Sequence, residues 1–114
     1  MSIYFGEHFF SEPERLTSWK PPYIAGIYAI LVDDPTVTPV PFRPIYFGET
    51  NNMAEPGLIQ NHPLHDCWYN QTGSVYRLFI TVYEMPDSTP FERQQVEAGL
   101  IRQYRPICNE PVSL

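Results

Sequence analysis

Lysine is almost missing: Lys20 is the only one, and 7 basic residues face 13 acidic ones, for a net charge of -6. A surface of that sign repels a polyphosphate backbone over about a Debye length, which counts against tight, stand-alone DNA binding. Local arginines, a divalent metal or a basic partner would have to supply the positive charge. Long apolar runs are missing too. No stretch approaches the roughly 20 residues that span a bilayer, and Met1 to Phe10 has neither a basic start nor a signal-like apolar core. The expectation is a soluble, cytoplasmic protein with no membrane association. Cysteine is limited to Cys67 and Cys108, too few for a disulfide scaffold and suited to a reducing compartment as small buried hydrophobes.

What is present suits one core. With 43% hydrophobic and 15% aromatic residues in 114, the chain has enough apolar surface for one domain and too little length for two. Ile3-Tyr4-Phe5-Gly6 recurs at Ile45 to Gly48, but the flanks do not extend the match to a repeat. We divide the single domain, residues 1–114, into an N-terminal arm, 1–22, that packs on the core, and the core itself, 23–111. In the arm, Ser11 followed by Pro13 and Glu14 predicts a short helix from about Pro13 to Thr17.

Two β-rich stretches follow, Tyr23 to Val32 and a strand from Ile45, joined by a Pro-rich loop of about ten residues. Asn51 or Asn52 can cap a short helix, which Pro56-Gly57 interrupts, and Asn61 to Gly73 reads as irregular. Val75 to Glu84 reads as a third strand. Thr89, Pro90 and Glu92 then form a capping-box start for a long helix running to about Tyr104 and stopping before Pro106. The order predicts a small α+β fold with an antiparallel sheet of about three strands flanked by helices.

The long helix carries an anomaly. At about 100° per residue, Leu100, Tyr104 and Ile101 define an apolar stripe, and Arg93 and Glu97 fall within it rather than opposite it. Either they pair with each other four residues apart, or the carboxylate is held for a metal, since a buried charge needs a cation or several hydrogen bonds.

Gly26-Ile27-Tyr28 on one strand and Tyr46-Phe47-Gly48 on the next, with Glu97 on the long helix and Asn109 near the end, resemble the GIY-YIG nuclease superfamily from about Tyr23 to Pro111. The resemblance implies that fold and a metal-dependent endonuclease. It implies catalytic roles for Tyr28, Tyr46, Glu97 and Asn109, a magnesium or other divalent ion on Glu97, and nucleic acid, DNA before RNA, as partner. It also implies substrate contacts at Gly48 and near His62. Phe47 is an aromatic where the family has an aliphatic residue.

The family places an arginine eight residues beyond the second-motif glycine. Here that position is Pro56, and no arginine or lysine occurs between Arg43 and Arg77. The resemblance therefore implies activity that is weak or lost, unless Arg43 or Arg93 reaches the phosphate. The alternative is a non-catalytic binding or regulatory module on the same scaffold, engaging nucleic acid or a basic protein. Two further constellations stand beside this one. His62, His65, Asp66 and Cys67, with Cys108 as fourth ligand, would form a metal site without a recognised zinc spacing. Cys67 with His62 or His65 would form a hydrolase pair without an activating helix start.

Overall fold

A computed structural model of the chain describes residues 2–109; the expected core boundary at residue 111 lies outside the described residues. The arm opens with a hairpin of β1 (Ile3–Phe5) and β2 (His8–Phe10), turned at Gly6, whose φ of +60° a glycine adopts at no steric cost. Phe5 and Phe10 are buried against Phe47 of the core, and the Gly6 amide donates to the Tyr104 hydroxyl at 2.7 Å. The helix expected near Pro13 is instead β3 (Glu14–Arg15) and a single 3-10 turn, Leu16–Ser18. Pairing decides this: Glu14 and Arg15 lie opposite Ile80 and Phe79 and cover the edge of a strand that would otherwise be open.

The main sheet contains β4 (Gly26–Asp33), β5 (Phe42–Thr50) and β6 (Leu78–Glu84), in the order β3-β6-β4-β5, all antiparallel. It has four strands rather than three because the arm adds one. β4 is central and buried from Gly26 to Val32, which accounts for its unbroken apolar run. Tyr28, Ile30 and Val32 face one cluster with Ile80, Val82 and Trp68. Ile27, Ala29 and Leu31 face a second with Phe47, Leu100 and the hairpin.

In β5 the register slips between Ile30 and Leu31: Tyr46 lies opposite Ile30 and Pro44 opposite Leu31, so Ile45 has no partner. Such a bulge is compatible with Pro44, which cannot donate to the ladder. It turns both Ile45 and Tyr46 toward the first cluster.

No regular helix forms directly after β5. Asn52 Oδ1 instead accepts the Ala54 amide at 2.9 Å, closing a local turn, and turns continue to residue 64. The segment expected to be irregular contains α1 (His65–Asn70). The long helix is α2 (Pro90–Tyr104), with Thr89 and Glu92 forming the reciprocal capping bonds and Arg105 ending it in the left-handed region. Among the described residues no helix is long and apolar enough to cross a membrane.

Cys67 on α1 and Cys108 on the tail form a disulfide, with Cα atoms 5.9 Å apart. The expectation of two separate buried thiols is corrected. Their separation of 41 in sequence hid the pairing, because α1 and the tail meet only in three dimensions.

Candidate functional site

The outer edge of β5 is where the predicted residues meet. Edge strands leave every second amide and carbonyl without a ladder partner, and here these groups are taken up one by one. Ile45 O accepts from Cys108 N at 2.9 Å. Phe47 N donates to Asn109 Oδ1 at 2.7 Å, and Phe47 O accepts from Asn109 Nδ2 at 2.9 Å. The Asn109 side chain thus pairs like an added strand. The next outward amide, Glu49 N, is directed at the Glu97 carboxylate. Asn109 and Glu97 are held by one strip of backbone, and the tail carrying Asn109 is held in turn by the disulfide.

On the other face of this strip stand the aromatics. Tyr28 is buried and Tyr46 half-buried, with ring centroids 6.1 Å apart. Gly48 explains how Tyr28 fits. A Cβ at position 48 would overlap Cζ and the hydroxyl of Tyr28, so this glycine leaves the space into which the phenol projects. Gly48, expected at the substrate, has this packing role against Tyr28.

His62 lies edge-on to Tyr46, its Nε2 3.1 Å from the Tyr46 hydroxyl. Its other nitrogen, Nδ1, accepts the Leu64 amide at 3.0 Å. An acceptor carries no proton, so the neutral ring bears its proton on Nε2 and donates it to the Tyr46 oxygen. Burial, then the neighbouring His65, lowers the His62 pKa and keeps the ring neutral. Trp68 stacks on it at 4.6 Å and also contacts Tyr46 at 5.3 Å.

The electrostatics run one way. Burial raises both phenols, most strongly Tyr28, and the Glu97 and Glu49 carboxylates add to the rise. The phenols also act on each other: Tyr46 raises Tyr28 whereas Tyr28 lowers Tyr46, the pattern of a Tyr28 hydroxyl that donates and a Tyr46 oxygen that accepts. Glu97 is pushed up to about 7, first by burial and then by Glu49, with the Glu49 amide pulling the other way.

Neither arginine offered for the missing one is brought to this place as a free cation. Arg93 is 3% exposed, and its Nε donates to Glu49 Oε2 at 2.9 Å while Nη1 donates to Ser88 O and Oγ at 2.7 and 3.0 Å. It pairs with Glu49 across the interface of α2 and β5 rather than with Glu97 along the helix. Arg43 binds Asp34 at 3.2 Å at the start of β5, five residues from Gly48 and so about 17 Å along the strand. Pro56 is exposed in the turn region.

Both constellations that used the cysteines are overturned. The disulfide occupies both sulfurs, leaving no thiolate for a metal or for nucleophilic attack, and no cluster of three metal-ligating side chains exists among the described residues. Sequence reasoning missed Glu49 and Trp68. Glu49 had a signal: an arginine in the apolar stripe of α2 needs a carboxylate opposite, and Glu49 shares the face of Phe47 by the two-residue period of a strand. Trp68 had none beyond its adjacency to Cys67.

A divalent ion of the magnesium kind would be held by Glu97, with Glu49 beside it already engaged by Arg93. Such ions keep most of their water and need one or two carboxylates, and Glu97 beside Glu49 is a place where the second negative charge is already resisted. No protein family, no curated protein and no solved structure matches this chain.

Proposed function

We propose that the chain is a nuclease-like domain of the GIY-YIG type, hydrolysing nucleic-acid phosphodiesters slowly and with a divalent metal at Glu97. The observation that carries the reading is the convergence of Tyr28, Tyr46, His62 and Glu97 on one strip of β5, with Asn109 fixing that strip. Hydrolysis of a phosphodiester needs an attacking water, an acceptor for its proton and positive charge on the phosphate. A divalent ion bound at Glu97 supplies the charge.

Tyr46 accepts the proton at its phenolic oxygen once its own proton has been lost to solvent. Because burial raises its pKa, this phenolate is the minor form near neutral pH, which also keeps the rate low. His62 Nε2–H donates to that oxygen and stabilises the phenolate, and Tyr28 stays protonated to donate from the other side. Neutralising Glu97 removes one of the charges that raise the Tyr46 pKa. The low rate follows from position 56: a proline cannot clamp phosphate, and loss of one such contact costs on the order of 10² to 10³ in rate.

A second reading is favoured by the Arg93 geometry. Arg93 has its guanidinium committed to Glu49 and Ser88, and Arg43 has its own committed to Asp34, which suits a non-catalytic module binding nucleic acid or a basic protein. Plasmid and single-stranded DNA incubated with Mg²⁺ or Mn²⁺ separate the two. Slow cleavage that vanishes in Glu97→Ala and rises in Pro56→Arg supports the nuclease. Equal cleavage by parent and Glu97→Ala removes the mechanism, and no cleavage by either leaves the binding module.

A further inference from the structure

Two halves of the site are joined by one covalent bond, and each cysteine is the immediate neighbour of a residue that shapes the site. Cys67 precedes Trp68, which stacks on His62 and touches Tyr46. Cys108 precedes Asn109, whose side chain holds Phe47 at both amide and carbonyl, and its own amide holds Ile45 O. The Cys67–Cys108 bond therefore fastens the tail, beyond the end of α2, to the helix that backs the histidine. Apart from the bond, the tail from Pro106 to Asn109 is anchored to β5 by those three backbone-directed hydrogen bonds. Cys67 is half-buried whereas Cys108 is 4% exposed, so Cys67 is the more accessible residue of the pair and the side on which we place the attack of an incoming thiolate.

We infer that this disulfide is a redox latch on the β5 edge, closed when oxidised and opened by a dithiol reductant. One thiolate of the reductant attacks Cys67 Sγ and Cys108 leaves as a thiolate that takes up a proton. The second thiol of the reductant then displaces Cys67, closing the reductant's own disulfide. Two electrons pass to the cysteines, which end as two thiols, and the reductant ends as a cyclic disulfide. Where a dithiol reductant is present such a bond can open and re-form, and the sequence contains no other cysteine to compete for the pairing. Opening frees the tail, so Asn109 leaves Phe47 and the strip that also fixes Glu97 loses its outer support.

That this regulates hydrolysis rests on the reading of the site given above, while the latch itself can be read without substrate. Amide hydrogen exchange is followed in the oxidised protein, in protein reduced with dithiothreitol, and in the Cys67→Ser/Cys108→Ser variant. The expected result is exchange at Phe47 and Cys108 at least tenfold faster in the reduced protein and the variant, with β4 amides unchanged and protection regained on treatment with oxidised dithiothreitol. Asn109→Ala in the oxidised protein should reproduce the Phe47 change alone. Unchanged exchange at Phe47 on reduction overturns the latch, as does equal acceleration of β4, which would make the bond a staple of the whole fold. Cysteines that stay open to alkylation after oxidised dithiothreitol also overturn it. A nuclease assay that fails leaves each of these outcomes readable.

Discussion

Gly48 is the residue on which the placement of Tyr28 depends, because Tyr28 occupies the space a side chain would need. Gly48→Ala should displace the Tyr28 ring and cost about 1–3 kcal/mol, the usual penalty for overpacking a core, as read from urea unfolding. Gly48→Ala with Tyr28→Phe removes only the hydroxyl and should remain destabilised, since Cζ overlaps as well.

Glu97 supplies a pH signature. Its folded pKa of about 7 lies above the ordinary 4.5, so between those values the folded state holds a proton that the unfolded state has lost. Stability from this group is therefore highest below pH 4.5 and falls as pH rises toward 7. With the carboxyl partly open to solvent and screened, the fall is on the order of 1 kcal/mol. Comparing unfolding midpoints of parent and Glu97→Gln across pH 4 to 8 checks this: the parent should lose ground relative to the variant as pH rises.

At the scale of elements, α2 was the most legible from sequence, since Thr89, Pro90 and Glu92 mark its start by local chemistry that needs no partner. The inward angles of Arg93 and Glu97 were legible for the same reason. Their partners were not, because Glu49 lies 44 residues from Arg93 and meets it only when α2 packs on β5. β3 was missed because Glu14, read as part of a helix start, and Arg15 after it were claimed by the open edge of β6. The bulge at Ile45 was invisible for a similar reason: register belongs to a pair of strands, and a sequence shows one strand at a time.

The Arg93–Glu49 pair ties the two elements together. Arg93→Met should leave Glu49 without its counter-charge and cost about 3 kcal/mol, as breaking a largely buried pair does, whereas the double change to Arg93→Met/Glu49→Leu should recover much of that loss. A urea double-mutant cycle measures the difference.

For the whole molecule, the negative balance and the enclosed Arg93 mean that the proposed nuclease reading requires a cation from outside. Nucleic-acid binding should therefore be weak without a divalent ion and fall steeply with added salt. The α+β class and the elements that carry Tyr28, Tyr46 and Glu97 could be anticipated because those elements have strong local patterns. Asn109 took its meaning from the covered β5 edge and from the disulfide, both properties of the assembled fold.

The most direct test of the central claim is the rate of plasmid nicking with Mn²⁺ from pH 6 to 8, for the parent, Tyr46→Phe and Glu97→Ala. Nicking in the parent should rise with pH as Glu97 loses its proton near 7 and be abolished in both variants. Nicking that survives in Tyr46→Phe at the parent's rate would contradict the account.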